Sequence, residues 1–374
     1  MGEFLFILVG LGPICLSLIA RVGGYKLKRV YLFSMISILT AFSALRLESG
    51  QDWEAYADFF YQIDTSTGIF NYLRFGSYSA SQFEFGFFLI NYFVKILNGD
   101  YYHVLSICSV ISGVSIYIFY RQIKEHTDFA IISYVGYAFL ILGFSQARQS
   151  VGLACFLFAL TFYLRSDKSI LYFFAFSCIG ITFQYSVVIY IFIALIAYLL
   201  TRFVRLARFA VVALLFLAII VKNLNTNLFQ YFMLLAFNDT IVDKVNIYEA
   251  DLSQGGILNF LYSLILLANA IYVYSNSISQ TNFKHKFICN LAASSLYLSF
   301  LIVFVLPGFY PLYSRVYTLG SILLPVAFYY VGTRKNTISL NMFITVNYVA
   351  LTISYFKIFY LFSDDYLPYS MWIQ

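Results

Sequence analysis

Ser145-Gln146-Ala147-Arg148-Gln149-Ser150 is a polar knot in a stretch, residues 129 to 164, that is otherwise nearly all apolar. Arg148 has no acidic residue within 15 positions on either side. A guanidinium left bare in lipid costs several kcal/mol. It must therefore meet a distant carboxylate, reach water or bind an anionic ligand, and the last of these is the reading that the rest of the sequence favours.

The apolar runs on both sides of the knot are typical of the whole chain. Hydrophobic residues make up 61% of 374 and charged residues 11%, with a mean hydropathy of +0.82. Such values exclude a soluble domain and define an all-α polytopic membrane protein. The first apolar run, residues 4 to 20, follows Glu3 rather than a basic segment and lacks a small-x-small cleavage site, so it reads as a membrane helix. The five cysteines lie inside apolar runs at unrelated spacings, which suggests neither a disulfide framework nor a metal cluster.

Fifteen of the 23 Lys and Arg fall in six short clusters, at residues 21–29, 121–124, 165–168, 202–208, 284–286 and 334–335. The positive-inside rule assigns all six to the cytoplasm. The remaining segments then face outward and hold 14 of the 17 acids. Spanning runs of about 20 residues are expected at 4–20, 30–46, 102–120, 129–145, 148–164, 257–275, 287–306, 316–332 and 338–356, with a shorter one at 209–221.

Parity identifies two exceptions. A crossing at 83–97 would put the five downstream clusters, with 11 Lys and Arg, on the outside. That segment therefore reads as re-entrant or interfacial. Residues 170–200 are flanked by basic clusters on both sides and broken at Thr182-Phe183-Gln184-Tyr185-Ser186, and they read as a short broken hairpin. The expected whole is one integral membrane domain, 1–374, with about 10–12 transmembrane helices. Its external loops are 47–82 and 223–256, with interfacial stretches at 53–61 and 228–237.

Four arginines remain once the inner loops are counted, Arg46, Arg74, Arg148 and Arg315, and this topology puts all four outside. Arg148 and Arg315 each begin a helix, where a cation opposes the macrodipole. An anion clamp explains such placements, because the planar guanidinium fork matches phosphate oxygens and stays charged. For Arg46 and Arg74, snorkelling or pairing with Glu48 or Asp52 is an equal alternative. Asp52, with Gly50 permitting a tight turn before it, and Glu84 are the candidate general bases. His103, beside Asp100 at a helix start, either takes part or caps. Tyr310, Tyr313, Tyr317, Tyr366 and Tyr369 could stack on sugars, although interfacial girdles account for most of the aromatics. There is no Asp-x-Asp metal motif, no phosphate-binding Gly loop, no G-x-S-x-G and no H-E-x-x-H, which argues against a cytoplasmic enzyme with nucleotide donors. Asp364-Asp365 is a weak metal candidate. No metal or other cofactor and no nucleic-acid partner is expected.

Taken together, these residues resemble the EpsG-like branch of the Wzy polysaccharide (O-antigen) polymerases. Arg46 with Gly50-Gln51-Asp52-Trp53-Glu54-Ala55-Tyr56 looks like that family's Arg...Gly-x-Asp-aromatic-x-x-Tyr. Glu84-Phe85-Gly86-Phe87 looks like its Glu-x-Gly-aromatic, Arg148-Gln149 like its Arg-Gln-x-x-Ala, and Arg315-x-Tyr317 follows late in the chain. Where the family often has Phe-His-x-Ser at the hairpin break, this chain has Phe183-Gln184-Tyr185-Ser186, so Gln184 could orient a substrate but not take its proton.

The resemblance implies a GT-C-like membrane glycosyltransferase in the bacterial inner membrane. Its donor and acceptor would be undecaprenyl-pyrophosphate-linked oligosaccharide repeat units at the outer leaflet, with a chain-length regulator of the Wzz kind as a possible partner. The catalytic set would be Asp52, Glu84, Arg148 and Arg315; the substrate-binding set, Arg46, Arg148, Gln149, Gln184, Arg315 and Tyr317. A flippase of the same lipid-linked glycan and an O-antigen ligase using the same donor are the alternatives, with a membrane acyltransferase as a weaker third. The flippase predicts charges spread through the depth of a path and internal pseudo-symmetry, whereas here the anomalous charges crowd at one face.

Overall fold

The computed structural model describes residues 25–66, 83–165, 169–203, 256–305, 310–332, 337–361 and 370–371, with Ile69 and most of residues 6–16. The chain clusters into two compact units: Met1–Ile191 with Ile344–Gln374, and Phe192–Phe343. Apart from one two-residue strand pair, the regular structure in the described residues is helical.

In the first unit, helix α1 (Tyr25–Ala44) is followed by strand β1 (Arg46–Leu47), which pairs antiparallel with β2 (Ser370–Met371). Helices α2 (Trp53–Gln62), α3 (Phe85–Ile96) and α4 (Tyr101–Tyr120) come next. Helix α5 begins as Thr127–Ser133 and widens into π turns over Tyr134–Phe139 and Ile141–Ser145. Helix α6 (Ala147–Arg165) then packs against α7 (Ser169–Phe183), and α8 (Val187–Arg202) begins after a break at residues 184–186. The second unit contains α9 (Gly256–Ser277), α10 (Phe283–Val305) and α11 (Tyr310–Gly332). Helix α12 (Thr337–Leu361) starts in the second unit and returns the chain to the first.

Four helices among the described residues are long and apolar enough to cross a membrane: Leu27–Ala44, Tyr101–Tyr120, Ala147–Arg165 and Phe283–Phe304. Helices α9, α11 and α12 have 22, 23 and 25 residues, also long enough for a bilayer core of about 30 Å. This is a multi-pass, all-α membrane protein. Helix α3, with 12 residues, extends about 18 Å at the usual rise and is too short to span. The expected run at 209–221, the loop 223–256 with its stretch 228–237, Arg74 and Asp364-Asp365 lie outside the described residues.

The amphipathic pattern of α2 explains how the loop after β1 folds back. Tyr56, Ala57, Phe59 and Phe60 recur at helical spacing and are buried against Phe87, Phe88 and Tyr92 of α3, Val104 and Leu105 of α4, and Ala147 and Val151 of α6. Full burial of each large side chain contributes about 1.5–3 kcal/mol. The helix is closed by Lys95 of α3, whose Nζ donates to the carbonyls of Phe60 and Tyr61, each at 2.9 Å, a cation at the negative end of the dipole. At the start of α4, Asp100 and His103 form a reciprocal capping box, with His103 Nδ1 accepting from the Asp100 N–H at 2.9 Å. That contact gives His103 its capping role.

In the second unit, buried polar side chains link the helices. Asn290 of α10 donates to Thr201 Oγ1 of α8 at 2.9 Å and accepts from Ser277 Oγ of α9 at 2.7 Å. Such bonds replace the hydrophobic driving force that lipid removes.

Candidate functional site

Three interruptions of regular structure converge in the first unit. The first is the turn before α2, where Gly50 has φ +102°. A Cβ there would lie 2.1 Å from the carbonyl oxygen of Phe144 and 2.6 Å from its carbon. Only glycine permits this backbone shape and this approach. The Gln51 N–H then donates to Ser145 Oγ at 3.4 Å.

The second interruption is the end of α5. Its last turn closes with a wide bond from the Gln146 N–H to the Ile141 carbonyl at 2.8 Å. Gln146 then leaves helical geometry at φ −120°, ψ 64°. Helix α6 begins at once and sets Arg148 in its first turn.

The third is the pair of loose ends at Phe83-Glu84 and Gln184-Tyr185-Ser186. Helix α3 approaches α7 closely, since a Cβ on Gly86 would meet Thr182 Oγ1 at 2.7 Å. Helices α6 and α7 also touch at their glycines, a Cβ on Gly180 lying 3.0 Å from the Gly152 carbonyl oxygen. Small residues at these crossings draw the break at residues 184–186 onto the site.

Arg148 finds its partner here. Its Nη1 donates to Glu84 Oε2 at 2.6 Å, a charge-assisted bond spanning 64 residues. The other carboxylate oxygen, Oε1, accepts from the Tyr185 N–H at 3.3 Å. Beneath, the Phe83 ring centroid lies 4.4 Å from the guanidinium carbon, a cation–π contact. Of the three outcomes open to Arg148, the distant carboxylate is therefore realised in this structure, and the side chain, 23% exposed, also reaches the surface. Glu84 is only 6% exposed.

Asp52 starts α2 and is partly exposed. Tyr56, one turn later, brings its hydroxyl 3.4 Å from Asp52 Oδ2 and 3.4 Å from the Ser145 carbonyl oxygen, with Arg148 close enough to hydrogen-bond the same oxygen. Burial foremost, and then the Asp52 charge, raise the pKa of this phenol, while Arg148 opposes them. The hydroxyl therefore stays protonated at ordinary pH. Gln149 is buried and donates from Nε2 to the Tyr190 hydroxyl at 3.2 Å. Gln184 is buried at the break, and its Oε1 meets no partner among the described residues.

The structure thus gathers Asp52, Glu84, Arg148, Gln149 and Gln184 in one unit. Arg46 is 1% exposed; its Nη1 donates to the Ser43 carbonyl at 3.1 Å, and the Phe144 ring lies 5.4 Å from its guanidinium carbon. In this conformation it braces the loop behind the site. Arg315 and Tyr317 belong to α11 in the second unit. No described residue reaches the buried Nε of Arg315, Tyr317 bonds the Tyr262 hydroxyl, and Tyr313 and Tyr317 stack with centroids 5.6 Å apart.

Sequence reading quoted Ser145 in the polar knot, Tyr185 in the break and Tyr56 at the end of a motif but gave none of them a role of its own, and it gave none to the Phe83 ring. For Tyr56 a signal for the role existed, since it lies four residues after Asp52 on a helical face. Among the described residues no group of three His, Cys, Asp or Glu could hold a metal ion.

The family model described as the EpsG family matches residues 29–371. No curated protein and no solved structure matches the chain.

Proposed function

The chain belongs to the EpsG family of membrane proteins in polysaccharide biosynthesis, and on that premise we propose that it polymerises undecaprenyl-pyrophosphate-linked repeat units at the outer face of the bacterial inner membrane. The observation that carries this reading is the Arg148–Glu84 pair: a cation in the first turn of a spanning helix, held by a buried carboxylate and still reaching the surface. The diphosphate of a lipid-linked donor supplies the anion that such a cation suits.

The reaction follows from these roles. A hydroxyl oxygen of the acceptor unit bonds to the anomeric carbon of the donor, and the carbon–oxygen bond to the diphosphate breaks, its electron pair leaving on the diphosphate. The hydroxyl proton passes to a carboxylate. Arg148 stabilises the charge developing on the leaving group. Gln184 is proposed as a hydrogen-bonding group for the glycan. The Arg148 guanidinium takes the electrostatic part that a metal plays elsewhere.

Of the two candidate bases we favour Asp52. Both oxygens of Glu84 are engaged, with Arg148 and with the Tyr185 N–H, and the residue is buried. Asp52 is more open. Glu84 then positions Arg148. Accordingly Asp52→Asn is expected to lower kcat for elongation by about 10²–10⁴-fold, whereas Glu84→Gln costs about tenfold, a tenfold being one lost contact of modest strength. A larger loss for Glu84→Gln than for Asp52→Asn would move the base to Glu84.

The function itself is tested by the lipid-linked glycans of cells lacking this chain. Single repeat units on the lipid at the outer leaflet are expected. Accumulation at the inner leaflet would instead indicate a flippase, and full-length polymer left on the lipid, untransferred, a ligase.

A further inference from the structure

Tyr56 occupies the point where the proposed base and the proposed clamp meet. Its ring is 2% exposed and packs between Phe83 and Phe87, with centroids 6.0 and 5.2 Å away. The ring is therefore fixed, and only the hydroxyl proton can turn. Two acceptors compete for it, Asp52 Oδ2 and the Ser145 carbonyl oxygen, both at 3.4 Å. An ordinary O–H···O bond is about 2.7–2.8 Å, so both contacts are long and the proton can pass from one acceptor to the other. Asp52 and Arg148 are the charged groups that act on this hydroxyl. The Ser145 carbonyl faces this hydroxyl from the wide turn before Gln146.

Resting on the polymerase reading above, we propose that Tyr56 is a positioning residue whose hydroxyl aims the Asp52 carboxylate and ties its basicity to the place of Arg148. With Arg148 held at Glu84 and donating to the Tyr56 oxygen, the phenol proton points at Asp52. It occupies a lone pair of the carboxylate and stabilises its charge. When a diphosphate draws the N–H groups of Arg148 to itself, the phenol proton turns to the Ser145 carbonyl. The freed lone pair of Asp52 then receives the acceptor proton as the new glycosidic bond forms and the diphosphate departs. Proton abstraction is thereby timed to the presence of a held leaving group. None of the three residues is novel as a residue type, but their junction at one hydroxyl is a property of the fold, since Ser145 lies 89 residues from Tyr56.

The test is Tyr56→Phe, which keeps the ring and its packing and removes only the hydroxyl. The full chain is purified in lipid nanodiscs and assayed for elongation of lipid-linked repeat units isolated from its host, with farnesyl pyrophosphate as a diphosphate binding probe. Expected is a kcat lower by about 10- to 100-fold, the range for a catalytic group that is no longer aimed. The KM for the donor and the affinity for farnesyl pyrophosphate should stay within about twofold, because the hydroxyl does not contact the donor. The acidic limb of the kcat/KM profile, which reports the free enzyme, should move to higher pH, since a carboxylate that loses a donor becomes harder to ionise. An unchanged kcat and pH limb overturns the role of Tyr56. So does a raised KM with kcat preserved. A wild-type chain that fails to elongate any donor overturns the polymerase reading and this inference with it, which separates the two failures.

Discussion

Cells carrying Arg148→Ala in this chain should make no long polymer and should accumulate single repeat units on the lipid, with elongation reduced at least about 100-fold. Removing one preorganised donor from a developing anion typically costs about 10²–10³ in rate. Here the loss is compounded, because Arg148 also anchors Glu84 and lies against Tyr56 and Phe83. The variant leaves a carboxylate that is 6% exposed without its cation. Breaking a buried pair from one side costs about 3–5 kcal/mol, so some thermal destabilisation in detergent is expected too.

Stability and chemistry can be separated with a second change. Arg148→Ala combined with Glu84→Gln removes the stranded charge and still gives the Tyr185 N–H an acceptor. The double variant should recover most of the lost melting temperature and none of the activity. Arg148→Lys retains the charge but not the planar fork that can face Glu84, the Phe83 ring and a phosphate together. It should elongate at least about tenfold more slowly than wild type, one tenfold being the scale of a single contact. Normal chain length in either Arg148→Ala variant would remove the clamp from the mechanism.

Gly50→Ala is the second large expected effect, and it acts through the backbone. At φ +102° an added side chain is strained by about 1–3 kcal/mol. The new Cβ would also lie 2.1 Å from the Phe144 carbonyl oxygen, and overpacking of this kind costs about 1–3 kcal/mol more. Phe144 is fully buried and Ser145 nearly so, so the helix end cannot move aside cheaply. The turn must open instead. Asp52 then shifts, and the contacts of Gln51 and Tyr56 with Ser145 are lost. Elongation should fall below about one hundredth of wild type, and the melting temperature should drop. Gly12→Ala is the control, because a Cβ there meets nothing within 4 Å, and its stability should change by less than about 0.5 kcal/mol. A Gly50→Ala variant as stable and active as Gly12→Ala would mean that the turn does not place Asp52.

Much of this architecture is legible in the primary structure because it depends on local chemistry. The apolar runs at 30–46, 102–120 and 148–164 appear as α1, α4 and α6, with ends within a few residues of those expected except at the start of α1, which begins at Tyr25. The amphipathic stretch at 53–61 is α2, whose apolar face repeats at helical spacing. The interruption at Gln184-Tyr185-Ser186 separates α7 from α8. Gly50 makes the turn expected before Asp52. By contrast, the run 129–145 reads as an ordinary helix, and its π turns are invisible in composition. They arise where α5 meets other elements, for example at Gly136, whose Cβ would come within 2.6 Å of Leu351.

By itself the sequence determined which segments are apolar enough to form long helices, where the chain turns before Asp52 and at residues 184–186, and that Arg148 required a partner. Apolar length, helical periodicity, glycine freedom and the cost of a bare charge are all properties of a residue and its near neighbours. Only the tertiary structure decided what that partner is. Glu84, the Phe83 ring and the Tyr56 hydroxyl reach Arg148 from distances of 64 to 92 residues along the chain, and the Tyr185 N–H in turn reaches Glu84. The pairing of Arg46-Leu47 with Ser370-Met371 likewise joins nearly opposite ends of the chain. Such contacts depend on close packing between helices, and no one-dimensional pattern encodes which surfaces will meet.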